Sequence, residues 1–173
     1  MKRLLRKLKS SRGLTLVEMV AAAGVLALLG LMLHAGLIMA QDSYNTMTGE
    51  AESQLLLSTL TDLLSNELRY ARDVVTGEGG ALERYTSVNY GRNTTPSLDE
   101  NGQLEANRQR QMLSGGAYGN GAYRIETWSI VYDEESKLFT VQLNVTGRGS
   151  ISNETEFSVR CLNGTVGEEG GST

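Results

Sequence analysis

Residues Leu14 to Ala40 form an apolar run of 27 residues in which only Thr15, Glu18 and His34 are strongly polar. As an α-helix this run is about 40 Å long, longer than the ~30 Å hydrocarbon core of a bilayer. A secretory signal peptide has an apolar region of only ~7–15 residues before a small-residue cleavage site, and Ile38-Met39-Ala40 is a poor version of that site. The run therefore reads as a retained transmembrane helix. Lys2, Arg3, Arg6, Lys7, Lys9 and Arg12 all precede it, with no acid among residues 1–13, and the next base after it is Arg69. The positive-inside rule puts the N-terminus in the cytoplasm and the bulk of the chain outside.

The charge pattern agrees with two different surroundings. The chain as a whole carries −4, yet the leader holds six of its 16 bases, which leaves 10 bases against 20 acids beyond residue 13. The basic end suits anionic lipid headgroups, and the acidic remainder argues against direct binding of nucleic acid. About 133 residues follow the apolar run, enough for one modest core. The single cysteine, Cys161, excludes an intramolecular disulfide and is expected to be a small buried apolar group.

Glu18 is the anomaly. A charge in hydrocarbon costs roughly 2.5–3.5 kcal/mol on insertion scales. It is tolerated at the headgroup boundary, or where a partner neutralises it. The peptide bond between Gly13 and Leu14 separates a basic stretch from an apolar one. A cut there would give Leu14 a free amine at the end of the apolar helix. That amine, on a neighbouring subunit, could neutralise Glu18 when helices pack side by side.

The segment "RGLTLVEMV" (residues 12–20) resembles the N-terminal signal of type IV prepilins and type II secretion pseudopilins. Gly13 matches the last leader residue, Leu14 the methylated first mature residue, and Glu18 the assembly glutamate; the resemblance covers about residues 6 to 40. It implies cleavage after Gly13, N-methylation by an inner-membrane prepilin peptidase, and extraction from the membrane into a helical filament. The sequence departs from the family at two places. Leu14 stands where phenylalanine is commoner, and no proline kinks the membrane helix near Ala35.

Beyond Ala40 a helical period continues. Tyr44, Met47, Ala51, Leu55, Leu56, Leu60, Leu63, Leu64, Leu68, Ala71 and Val75 recur mostly at spacings of three or four. Asp42, Glu50, Glu52, Asp62, Glu67 and Asp73 are expected elsewhere on the helix, and Gly49 is a possible bend. One helix from about Leu14 to Val75 would be about 90 Å long, and its second half needs a sheet to cover its apolar stripe. "TGEGG" (76–80) should end it. Strands are expected near 82–90, 122–132, 137–146 and 154–162. A hairpin over 96–108 should turn at Asn101-Gly102, and "SGGAYGNGAY" reads as a loop. The fold class is α+β: a long N-terminal helix packed on a small antiparallel sheet. The organisation expected is a cleaved basic leader (1–13), a transmembrane and assembly helix (14–40) and its amphipathic continuation (41–75). A β-rich domain (76–162) and a flexible tail (163–173) follow.

Catalytic chemistry finds little support. His34 is the only histidine and lies inside the apolar run, where a helix–helix hydrogen bond explains it. There is no Cys/His metal spacing, no G-x-S-x-G and no Walker loop. "DENGQLE" (99–105) suggests a hairpin turn rather than a calcium loop, and Asp133-Glu134-Glu135 a solvated turn. The expectations are no enzymatic activity, no cofactor and no metal. The function expected is that of a minor pilin or pseudopilin. Its partners would be prepilin peptidase, other pilin or pseudopilin subunits, a filament assembly platform and membrane lipid, with no nucleic acid bound directly. The chain would be single-pass in the cytoplasmic membrane and, after assembly, part of a cell-surface or periplasmic filament. The alternative is a single-pass membrane protein that never polymerises and whose extracytoplasmic domain binds a ligand.

Overall fold

The computed structural model describes residues 15–147 and 151–163. It is an α+β protein: one helix, α1 (Leu16–Arg69), followed by nine short strands in three antiparallel sheets. The chain divides into two compact units, Met1–Asn45 and Thr46–Thr173. In the first, the described residues belong to α1 or to Thr15 at its start, and they are exposed throughout. The second unit holds the rest of α1 and all the strands. The leader (1–13), Leu14, and most of the tail (164–173) lie outside the described residues.

In the second unit the leucines of α1 set the core. Leu56, Leu60, Leu64 and Leu68 follow one another at intervals of four, so they form one ridge on the helix, and all are buried. The sheet that receives them is made of β7 (Arg124–Asp133), β8 (Leu138–Thr146) and β9 (Ser152–Arg160), in that order. Alternation decides which side of the central strand faces inward. Phe139, Val141, Leu143 and Val145 are buried and share one cluster with the helix leucines, while Thr140, Gln142, Asn144 and Thr146 fall on the other face. Opposite Phe139, Tyr132 stacks at 4.5 Å between ring centroids. In β7 the register shifts between Ile125 and Thr127, a bulge that leaves Glu126 as the extra residue.

The second sheet, β1 (Arg72–Thr76), β2 (Leu82–Ser87) and β3 (Gly91–Thr94), meets the first through the bridge Ala81–Val131. The third contains β4 (Pro96–Leu98), β5 (Leu104–Ala106) and β6 (Arg110–Gln111). Its hairpin turns where the sequence suggests. Asp99 accepts the N–H groups of Asn101 and Gln103 on Oδ1 at 2.9 and 2.8 Å. Gly102 has φ +70, and a Cβ there would fall 2.7 Å from the Ile125 carbonyl oxygen. Glycine is required at this position for both reasons. The Asp99 carboxylate thus organises the loop through backbone N–H groups, and no group of three or more potential metal ligands occurs among the described residues.

Several expectations need correction. The helix ends at Arg69 rather than Val75: Asp73 takes a left-handed φ of 47, and the β-branched Val74, Val75 and Thr76 enter β1 instead. Ala71 and Val75 are buried, but not as helix positions. The helix passes through Gly49 without interruption; this glycine is buried, and a Cβ there would collide with the Ile151 side chain. The span 82–90 is one strand and a turn, followed by β3. It belongs to a different sheet from β7, β8 and β9, so the single sheet expected is in fact divided. The glycine-rich loop contains a turn of 3-10 helix, Gly115–Tyr118, and buries Tyr118 completely; the Tyr118 hydroxyl accepts the Leu104 N–H at 2.9 Å. Tyr44, Met47 and Leu55 are exposed rather than part of the buried stripe.

Leu60 and Leu64 are 0% and 1% exposed. An aspartate at either site would place an unpaired charge in the core. Leu60→Asp or Leu64→Asp should lower unfolding free energy by about 3–5 kcal/mol, measured by denaturant titration of the full chain in detergent. Unchanged midpoints for both variants would contradict the packing described.

Candidate functional site

The segment that carries the sequence motif is the first part of α1. Mean hydropathy reaches 2.3 over an 18-residue window, with none of that window buried. The helix is thus long and apolar enough to cross a membrane once. Glu18 lies in its first turn. The Glu18 N–H donates to Thr15 Oγ1 at 3.3 Å, and the Met19 N–H to the Thr15 carbonyl at 3.1 Å. Thr15 therefore caps the helix, and Thr15-Leu16-Val17-Glu18 has the spacing of a capping box. An acid here also lies beside the positive end of the helix dipole, an effect of about 0.3–1 kcal/mol. These two local roles answer part of the question that Glu18 raises. Gly13 and Leu14, the expected cut site, lie outside the described residues.

The described part of α1 carries exposed apolar side chains in each unit: Leu26, Leu33, Leu37 and Tyr44 in the first, Met47 and Leu55 in the second. Each is at least 63% exposed. The buried ridge, by contrast, uses Leu56, Leu60, Leu64 and Leu68. Leu55 and Leu56 are neighbours in sequence, one exposed and one buried, so the helix presents two apolar faces where the sequence pattern had merged them into one.

A polar cluster lies at the C-terminal end of the helix. Glu67, expected on the solvent side, is 6% exposed. Its carboxylate accepts the Ser87 hydroxyl through Oε1 and the Asn89 side-chain amide through Oε2 at 2.8 Å; Tyr85 Oη is 3.5 Å from Oε1. Ser87 Oγ in turn accepts the N–H groups of Asn89 and Tyr90 at 2.9 Å each. Arg110 stacks over the Tyr90 ring at 5.2 Å and donates to the Asn89 carbonyl. The cluster ties the helix end to the β2–β3 turn. Sequence reasoning missed it because an acid in a helical pattern is normally solvated. The hint available was Ser87-x-Asn89, a polar turn within an otherwise strand-like stretch.

Burial, and then the facing Glu67 carboxylate, push the Tyr85 phenol far above the ordinary tyrosine range. Burial also raises Tyr118, against the opposing hydrogen bond from Leu104. No family model matches the chain, and neither the comparison with curated proteins nor that with solved structures finds a match.

A phenol whose pKa is raised on folding stabilises the folded state fully below the unfolded value of 10.0. That contribution is lost as pH climbs above it, because the unfolded chain releases the proton first. The thermal midpoint should therefore fall between pH about 9 and about 11. Tyr85→Phe should make that fall shallower, since it removes one of the retained protons. An equal slope in wild type and variant would show that Tyr85 ionises as an exposed phenol does.

Proposed function

We propose that this chain is a pilin-like filament subunit, a minor pilin or pseudopilin. It would be anchored by the N-terminal half of α1, with the β-rich domain outside the cytoplasmic membrane. The observation that carries the reading is that α1 keeps exposed apolar side chains past its membrane-length part, at Tyr44, Met47 and Leu55. A single membrane anchor needs apolar surface only as far as the bilayer reaches. Exposed apolar side chains past Ala40 suit a helix that packs against other helices beyond the lipid. The prepilin-like segment Arg12-Gly13-Leu14 with Glu18 supports the same reading.

Assembly follows from desolvation. After cleavage at Gly13, the Leu14 amine of one subunit and the Glu18 carboxylate of its neighbour are each costly alone in hydrocarbon and neutralise one another when paired. Apolar helices in lipid can slide, because lipid tails compete with helix contacts on nearly equal terms. A charge pair fixes the offset. Thr15 caps the first turn and so holds Glu18 within it. The partners implied are a prepilin peptidase, other pilin or pseudopilin subunits and an assembly platform.

The mature chain should begin at Leu14 with an N-methylated amine, read by N-terminal sequencing or intact mass; a form starting at Gln41 would indicate ordinary signal peptidase. Glu18→Val should still insert and be cut, but its share in sheared or pelleted filaments should fall at least about tenfold relative to membranes, the loss of one well-formed ion pair in hydrocarbon. Wild-type incorporation of Glu18→Val would leave Glu18 with its capping role alone. The alternative, a non-polymerising anchored domain, predicts no filament fraction for either form.

A further inference from the structure

We infer that the free edge of β9 is a docking site for an extended segment of a partner protein, one with cationic side chains opposite Glu154 and Glu156. The inference does not depend on the filament reading. It begins with the direction of the backbone groups. The Cys161 N–H donates to the Lys137 carbonyl at 2.8 Å, and the Gly147 N–H to the Ile151 carbonyl at 2.9 Å. Residues alternate in an antiparallel ladder, so the odd-numbered residues of β9 bond to β8. Ser152, Glu154, Glu156, Ser158 and Arg160 therefore turn their N–H and C=O groups the other way. The Leu162 N–H, next in the same series, points that way too and reaches the Arg69 carbonyl at 2.8 Å. Among the described residues no strand pairs with β9 on this side.

A nine-residue unpaired edge is long for a folded domain, and proteins normally cover or twist away such edges. Here an open depression of about 420 Å³ lies beside its first part, walled by Gln54, Leu57, Ser58 and Thr61 of α1 and by Asn153, Glu154 and Thr155 of β9. The helix wall is narrow-shouldered: serine and threonine leave room for the side chains of an added strand. Phe157, on the same face of β9 as Thr155, is only partly buried against the core.

Charge selects the occupant. Glu154 and Glu156 lie on the outer face of the sheet, at positions whose backbone faces the edge. In an antiparallel addition, the residues opposite them bond to β9 through their own backbone and point their side chains to the same outer face. Lysine or arginine there would pair with both carboxylates, while the intervening residues would point into the depression over Leu57. Ser53 accepts from Asn153, and Arg69 from Leu162, so α1 and β9 run in the same direction, and a two-fold pairing of two β9 strands would set the α1 segments packed on them antiparallel.

The probe is a fluorescent peptide of alternating Lys and Val, about ten residues long, titrated against the full chain in detergent and read by anisotropy. Methylating the amides of its Lys residues should weaken binding at least about tenfold, because those amides face β9; methylating the Val amides should not. Ser158→Pro removes an edge-directed N–H and none to β8, so it should weaken binding with the thermal midpoint nearly unchanged. Equal binding of the two methylated peptides, or of a Glu–Val peptide, would overturn the inference and leave nonspecific attraction. Concentration-dependent dimers that Ser158→Pro abolishes would overturn it in favour of self-pairing.

Discussion

Four leucines one turn apart, Leu56, Leu60, Leu64 and Leu68, join helix and sheets into one domain. Each buried leucine contributes about 1.5–3 kcal/mol relative to exposure, and they meet the four inward apolar residues of β8. The inward residues of β8 exist to meet this ridge, and the strands on either side of it are aligned by register with β8. The helix end follows from the same contact. Once Leu68 is buried, the chain must turn within two residues for Val74 to reach the core, and the Arg69 carbonyl left open there is taken by Leu162 at the end of β9. The buried Glu67 lies one residue before Leu68. It is held by Ser87 and Asn89 because the ridge carries it into the interior along with its neighbour.

The sequence made some of this readable and hid the rest for identifiable reasons. The β7–β8 hairpin was legible because both strands alternate and the Asp133-Glu134-Glu135-Ser136 turn separates them; Ser136 and the Glu135 N–H both bond to Asp133. The hairpin at Asn101-Gly102 was legible from turn chemistry. The end of the helix was not, because Ala71 and Val75 continue a spacing of three and four by coincidence while belonging to a strand. The two faces of the helix were merged for a similar reason: periodicity reports that a position is apolar, not what covers it. The burial of Tyr118 was hidden because a glycine-rich segment looks like a loop, and only the Leu104 N–H, distant in sequence, shows that its hydroxyl has a partner. The candidate assembly segment is the opposite case. Leu14, Gly13 and Glu18 stand out in the sequence, and what the fold adds is the capping role of Thr15.

Within the second unit, α1 presents two different apolar faces. Leu55 faces outward and Leu56 inward, about 100° apart on the helix. The domain could not use the outer face for its own core without losing the ridge, since a small sheet covers only one side of a helix. Whatever packs on the outer face therefore need not compete with folding. Substitutions at Met47 and Leu55 should leave domain stability nearly untouched, while those at Leu56, Leu60, Leu64 and Leu68 should lower it. The separation has a physical consequence: the outer face is already exposed in the folded domain, so no part of the domain has to unfold for it to be reached.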